Sequence, residues 1–136
     1  MYHKGKGVPQ DYKTAVKWFT LSAEQGNSNA QYNLALRYKK GEGVPQDYKT
    51  AVKWFTLAAE QGDSDAQYSL ALMYRDGKGV PQDLIYGHMW LNLSGSNGHE
   101  GAGESRDALA KKMTPALIEK AQALARECVR KEYKGC

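Results

Sequence analysis

The side chains that could do chemistry in this 136-residue chain are few: three histidines (His3, His88 and His99), two cysteines (Cys128 and Cys136), and a glycine pair that returns in a fixed loop. A histidine works as a base or a metal ligand when a carboxylate, a cysteine or another histidine orients or joins it. None of the three has such a neighbour at ligand spacing, and His88 falls on an apolar helical stripe, so they read as structural or surface residues. The cysteines stand near the chain end with seven residues between them, compatible with a local disulfide if the chain turns back after Gly135, or with two free thiols. A disulfide would point to an exported parent protein and free thiols to a cytosolic one. The glycine pair Gly41-Glu42-Gly43 has neither a preceding strand nor a third glycine, and no Gly-Lys-Ser/Thr follows it, so it reads as turn chemistry and not as a phosphate cradle. No acid, base and nucleophile come together in the sequence, which predicts a protein that is not an enzyme and needs no cofactor or metal.

Composition sets the frame for whatever holds these residues. Charged residues make up 25% and apolar ones 41%, in the range of one globular unit spanning residues 1–136. The net charge of +4 arises from Lys and Arg interleaved with Asp and Glu, which does not argue for a nucleic-acid or membrane surface. No apolar run nears the roughly 18 residues that span a bilayer, and no basic start followed by an apolar stretch resembles a secretory signal.

The organising feature is an internal repeat. Gly5-Lys6-Gly7-Val8-Pro9-Gln10-Asp11-Tyr12 returns as Gly41-Glu42-Gly43-Val44-Pro45-Gln46-Asp47-Tyr48 and again as Gly77-Lys78-Gly79-Val80-Pro81-Gln82-Asp83-Leu84, a period of 36 residues. The periods run 5–40, 41–76 and 77–112, followed by 113–136. The first two differ at eight positions, all small or surface-type exchanges apart from Arg37/Met73. Trp18, Trp54 and Trp90 recur at the same interval, which marks them as packing residues of each unit.

Within a period the apolar spacing is helical. Tyr48, Ala51, Val52, Phe55, Ala58 and Ala59 form one stripe between an Asp47 N-cap and Gly62. A second helix starts at Asp63 (Asn27 one period earlier), buries Ala66, Leu70, Met73 and Tyr74, and stops at Gly77. Ala30, Ala35, Ala58 and Ala59 are the small residues that let neighbouring helices approach. At the far end, Ile85 and Met89 replace Lys49 and Lys53 and so turn a solvated face apolar. An irregular arm near 100–112 and a helix opened by Thr114 and Pro115 must cover it, the latter through Leu117, Ala121, Leu124 and Cys128 with Ile118 and Ala125 beside them.

These residues resemble the Sel-one-like repeat family, a relative of the tetratricopeptide repeats. The resemblance rests on Ala66-Gln67-Tyr68-x-Leu70-Ala71-x-x-Tyr74-x-x-Gly77-x-Gly79-Val80 and on Asp47-Tyr48-x-x-Ala51-x-x-Trp54-Phe55-x-x-Ala58-Ala59-x-x-Gly62, and it covers nearly the whole chain. It implies an all-α fold, a right-handed superhelical solenoid of helix-turn-helix repeats with a C-terminal capping helix, and a non-enzymatic adaptor that binds a protein or peptide. In the phase of that family each hairpin begins with the Ala-Gln-Tyr helix, its first arm. By the same resemblance the first arms line a concave groove, here Asn29, Tyr32, Asn33, Leu36, Lys39 and Lys40, then Asp65, Tyr68, Ser69, Leu72, Arg75 and Asp76. The alternative for Tyr32, Tyr68, Leu36 and Leu72 is simple packing between repeats. Many bacterial members are exported, which tilts the expected setting of the parent protein toward the periplasm or outside the cell.

In that phase residues 1–40 hold a partial first repeat plus the first arm of the next. Met1-Tyr2-His3-Lys4 matches the end of a first arm, so the helix expected over 11–25 lacks its partner, and the stripe Tyr12, Ala15, Val16 and Phe19 should be only partly covered. That edge predicts a second role, self-association or domain swapping, whether Met1 is a native start or a truncation.

Overall fold

The structure, a computed structural model, describes residues 9–136. Seven helices follow one another: α1 (Pro9–Glu24), α2 (Ser28–Lys40), α3 (Tyr48–Ala59), α4 (Ser64–Asp76), α5 (Leu84–Ser96), α6 (Ala102–Ala110) and α7 (Pro115–Arg130). No strand occurs among the described residues. The loop Gly5–Val8 and His3 lie outside them. First arms (α2, α4, α6) alternate with second arms (α1, α3, α5), and each packs against its neighbours along the chain.

Local chemistry sets the boundaries. Asn27, Asp47, Asp63, Asp83 and Thr114 each have an extended backbone and accept a hydrogen bond from the backbone N–H three residues on. The first helix starts at Pro9, two residues ahead of the expected start. α6 opens at Gly101 with no side-chain cap, which accounts for its irregular appearance in the sequence. At the other ends of α2 and α4, Gly41 and Gly77 adopt the left-handed conformation, and their N–H groups close back on Arg37 and Met73.

Repeats stack at two kinds of point. The second glycine of each loop sits on the start of the preceding second arm: a Cβ on Gly43 or Gly79 would fall 2.5 Å from the carbonyl oxygen of Tyr12 or Tyr48. Their φ angles of +81° and +77° also exclude most side chains. The other point is a buried amide ladder. Gln31 donates to Ala23 O and Gln67 to Ala59 O (both 3.1 Å), while Gln61 and Asn97, in the following turns, donate to Gln31 Oε1 (2.9 Å) and Gln67 Oε1 (3.0 Å). Each first-arm glutamine is thereby tied to the C-terminal ends of the second arms before and after it, and Gln67 is wholly buried.

The core grows along the array. On α3 and α4, Phe55, Ala58, Ala59, Ala66, Leu70 and Met73 are buried, as the stripes predict, whereas Tyr12, Ala15, Val16 and Phe19 on α1 are only half-covered. The three tryptophans show the gradient and correct the expectation of equal packing. Trp18 is 65% exposed, Trp54 is half-buried against Ala23, Ala30 and Leu34, and Trp90 is 3% exposed. A tryptophan at this register is covered by the preceding hairpin, and none of the described residues precedes α1. The most open apolar residues of α1 are therefore Trp18 and Leu21 (49%), not the stripe Tyr12, Ala15, Val16 and Phe19.

α7 lies against α5 and buries Met89. Its inner face runs through Ile118, Ala121, Ala125 and Cys128, with Leu124 half-buried, while Leu117 stands at the exposed margin. Cys128 and Cys136 form a disulfide with Cα atoms 5.5 Å apart. The chain turns back at Glu132 and Tyr133, both at positive φ, ahead of Gly135 where the turn is expected. Lys134 Nζ then donates to Glu60 O (3.0 Å) and Tyr133 OH to Asn97 Oδ1 (3.2 Å), tying the tail to the α3–α4 turn and to the residue that follows α5.

A candidate partner-binding surface

The residues expected to line a groove lie on α2 and α4, and burial sorts them. Asn29, Lys40, Asp65 and Asp76 are exposed, Ser69 is buried, and the other seven are half-buried. Tyr32, Leu36, Tyr68 and Leu72 pack against the central core as well as facing outward. Tyr32 meets Phe55 at 5.9 Å between ring centroids, and its hydroxyl lies near Ser69 on the next first arm. Burial pushes the Tyr32 hydroxyl above its ordinary pKa. Tyr68 makes the matching contact one repeat on, with its hydroxyl 3.3 Å from Ser105 Oγ on α6. Each tyrosine thus bridges two first arms while leaving part of its surface open.

Around Tyr68 the fold gathers groups that are distant in sequence. The His99 ring stacks on it at 4.1 Å with the planes 11° apart, and His99 Nε2 stands 3.7 Å from Asp65 Oδ1. This corrects the sequence-based expectation that no histidine has a carboxylate neighbour, since the contact joins the start of α4 to the turn before α6. His99 Nδ1 accepts the Gly101 N–H (3.2 Å), so the neutral ring carries its proton on Nε2, toward Asp65. With Nδ1 accepting the Gly101 N–H the imidazole braces the turn, and its neutral form has no free lone pair for proton abstraction. His88 is 3% exposed on α5, its Nδ1 without a hydrogen-bond partner, and burial, then Arg106, hold its pKa below the usual value. Among the described residues no three His, Cys, Asp or Glu side chains gather as a metal site would need.

The C-terminal ends of the first arms carry the opposite sign. Arg75 donates to both oxygens of Asp76 (2.8 and 3.1 Å), which holds that carboxyl below the carboxylate range. Burial, then Lys40 and Lys78, lower the pKa of Lys39, and Asp76 opposes them. Beside them Arg75, Asp76, Ser105, Ala108, Leu109 and Lys112 line an open cavity of about 340 Å³ between α4 and α6. Sequence reading missed Ser105, Ala108 and Lys112, although each lies 36 residues past Ser69, Leu72 and Asp76. The period carried through the irregular arm would have found them.

Three matches to the Sel1 repeat model cover residues 1–27, 28–63 and 64–99. Among solved structures, the chain is similar to c5321, a protective antigen present in uropathogenic Escherichia coli strains displaying an SLR fold, at 30% identity and a TM-score of 0.88. That alignment takes in 93% of this chain and 28% of the antigen, so the chain spans little more than a quarter of its length. A Sel1 repeat protein from Oxalobacter formigenes is 31% identical over 68% of this chain and 70% of that one, with a TM-score of 0.67. No curated protein matches the chain.

Proposed function

This chain belongs to the Sel1 repeat family, and on that footing we propose that it is a non-enzymatic binding module that holds a protein or peptide segment on the face formed by α2, α4 and α6. Sel1 repeats generally mediate protein–protein interaction. The observation that carries the reading is the half-buried row Tyr32, Leu36, Tyr68 and Leu72, anchored in the core yet open on one side, next to a cavity that no side chain fills. Rigid, partly exposed aromatic and apolar residues lose little entropy when a partner covers them. A photo-crosslinking amino acid at Leu72 should trap a bound peptide that the same group at Lys49, on a second arm, does not. Equal capture from both sites would sink the assignment of the face.

A second reading, self-association at the α1 edge, draws on the exposure of Trp18 and Leu21. Trp18→Glu with Leu21→Glu should then shift a concentration-dependent dimer to monomer in sedimentation; a wild-type chain that is monomeric throughout the series removes this reading. No helix among the described residues is long and apolar enough to cross a membrane. The Cys128–Cys136 bridge supports an exported parent protein in an oxidising compartment.

A further inference from the structure

The first-arm face is electrically lopsided. Near the N-terminal ends of α4 and α6 stand Asp63, Asp65, Glu100 and Glu104. Near the opposite ends stand Lys39, Lys40, Arg75, Lys78 and Lys112, accompanied by Asp76. These form one group: Lys39 feels Lys40, Lys78 and Asp76, and Asp76 feels Arg75, Lys78 and Lys39. Arg75, Asp76 and Lys112 then share the walls of the 340 Å³ cavity. Because Arg75 already takes both oxygens of Asp76, the carboxylate neutralises one of the five cations and leaves an excess of four positive charges. That excess equals the formal net charge of the whole chain.

Cations at helix C-termini gain from the helix dipole, which by itself would account for scattered lysines here. Two features go further. Lys39 is half-buried and crowded by two other ammonium groups, and the carboxylate that acts on it, Asp76, is already held by Arg75. The cavity beside the group also has an apolar side, Ala108 and Leu109, continuous in register with the half-buried Leu36 and Leu72 one turn before the cations of α2 and α4. Resting on the binding face assigned above, we infer that this end of the face takes an acidic peptide segment, carboxylates against the five cations and apolar side chains in the cavity. A nucleic-acid strand fits less well, because it needs open aromatic faces to stack on. One face of Tyr68 is taken by His99, and Tyr32 meets Phe55.

The test is fluorescence anisotropy with three labelled probes: a peptide alternating Glu and Leu, the same peptide with Lys for Glu, and oligo-dT. The acidic peptide should bind at least about tenfold more tightly than either of the others, and its affinity should fall as salt rises. Lys40→Glu with Lys112→Glu, both exposed, should weaken it by about tenfold or more, whereas Lys13→Glu with Lys49→Glu on the second arms makes the same charge change and should leave it near wild type. Equal losses from the two pairs, or a lysine peptide or oligonucleotide that binds as tightly, overturns the inference. The crosslinker at Leu72 separates the two levels. If it traps the lysine peptide, the face binds peptides but not acidic ones; if it traps no peptide, the binding face falls too.

Discussion

Arg37 and Met73 hold one position a repeat apart, and their exchange is the largest between the two copies. The structure shows what makes it tolerable. Arg37 pairs with Glu42 at 3.1 Å and lies over the Tyr12 ring, while in the next repeat Lys78 replaces Glu42, reaches over Tyr48 instead, and Met73 is buried. Two positions that vary together in sequence thus form one contact. The glycines give a sharper test at this scale. Gly79→Ala should cost about 2–4 kcal/mol in denaturant unfolding, because the new Cβ meets the Tyr48 carbonyl and the backbone stays at positive φ. Gly98→Ala has the same φ sign but nothing within 4 Å, so it should cost about 1–2 kcal/mol; equal losses would show that the contact with Tyr48 contributes nothing. Gln67→Ala should lose about 1–3 kcal/mol by removing its hydrogen bonds to the Ala59 carbonyl and from the Asn97 amide. His88 binds its proton less tightly folded than unfolded, so the stability it carries is complete above the ordinary value of 6.5 and drains away as pH falls below it. His88→Val, the residue of the same register on α1 and α3, should flatten unfolding free energy against pH in that window; an unchanged slope would show that the buried imidazole is not responsible.

At the scale of elements, the turn after α7 is held by a covalent loop. Cys128 and Cys136 are eight residues apart, and closing so short a loop restricts the unfolded chain by up to about 2.5 kcal/mol. The bridge keeps Tyr133, Lys134 and Gly135 in reach of Asn97 and Glu60, so one tie fastens α7 to hairpins nearer the middle of the array. Cys136→Ser should lower Tm, as reductant should for the wild type, and amide exchange should quicken from Lys131 to Gly135 and around Gly62. A Tm indifferent to both would mean that the α5–α7 packing through Met89, Ala121 and Ala125 holds α7 unaided.

Across the whole molecule stability should be graded, because a repeat array is bound by neighbours and α1 has a described neighbour on one side alone. Its stripe is half-covered, whereas α4 and α5 lie between buried layers. Native-state hydrogen exchange should show α1 opening at low free energy and α3 to α5 near the global value. Uniform protection from α1 to α5 would mean that the array unfolds as one unit and that the open edge costs nothing.

The 36-residue period and its caps determined the helices, their order and the repeat family from sequence, because capping, glycine turns and apolar stripes are local chemistry that each copy repeats. The positions of Ala58, Ala59, Leu70 and His88 in the core were legible for the same reason. What the tertiary structure decided is how identical residues differ by place. Trp18, Trp54 and Trp90 share a register, and their exposure depends on what precedes them in the stack. The same holds for Tyr68 with His99 and for Asp65 beside that ring. Such contacts are set by stacking across a turn, an arrangement that the period of one repeat does not encode.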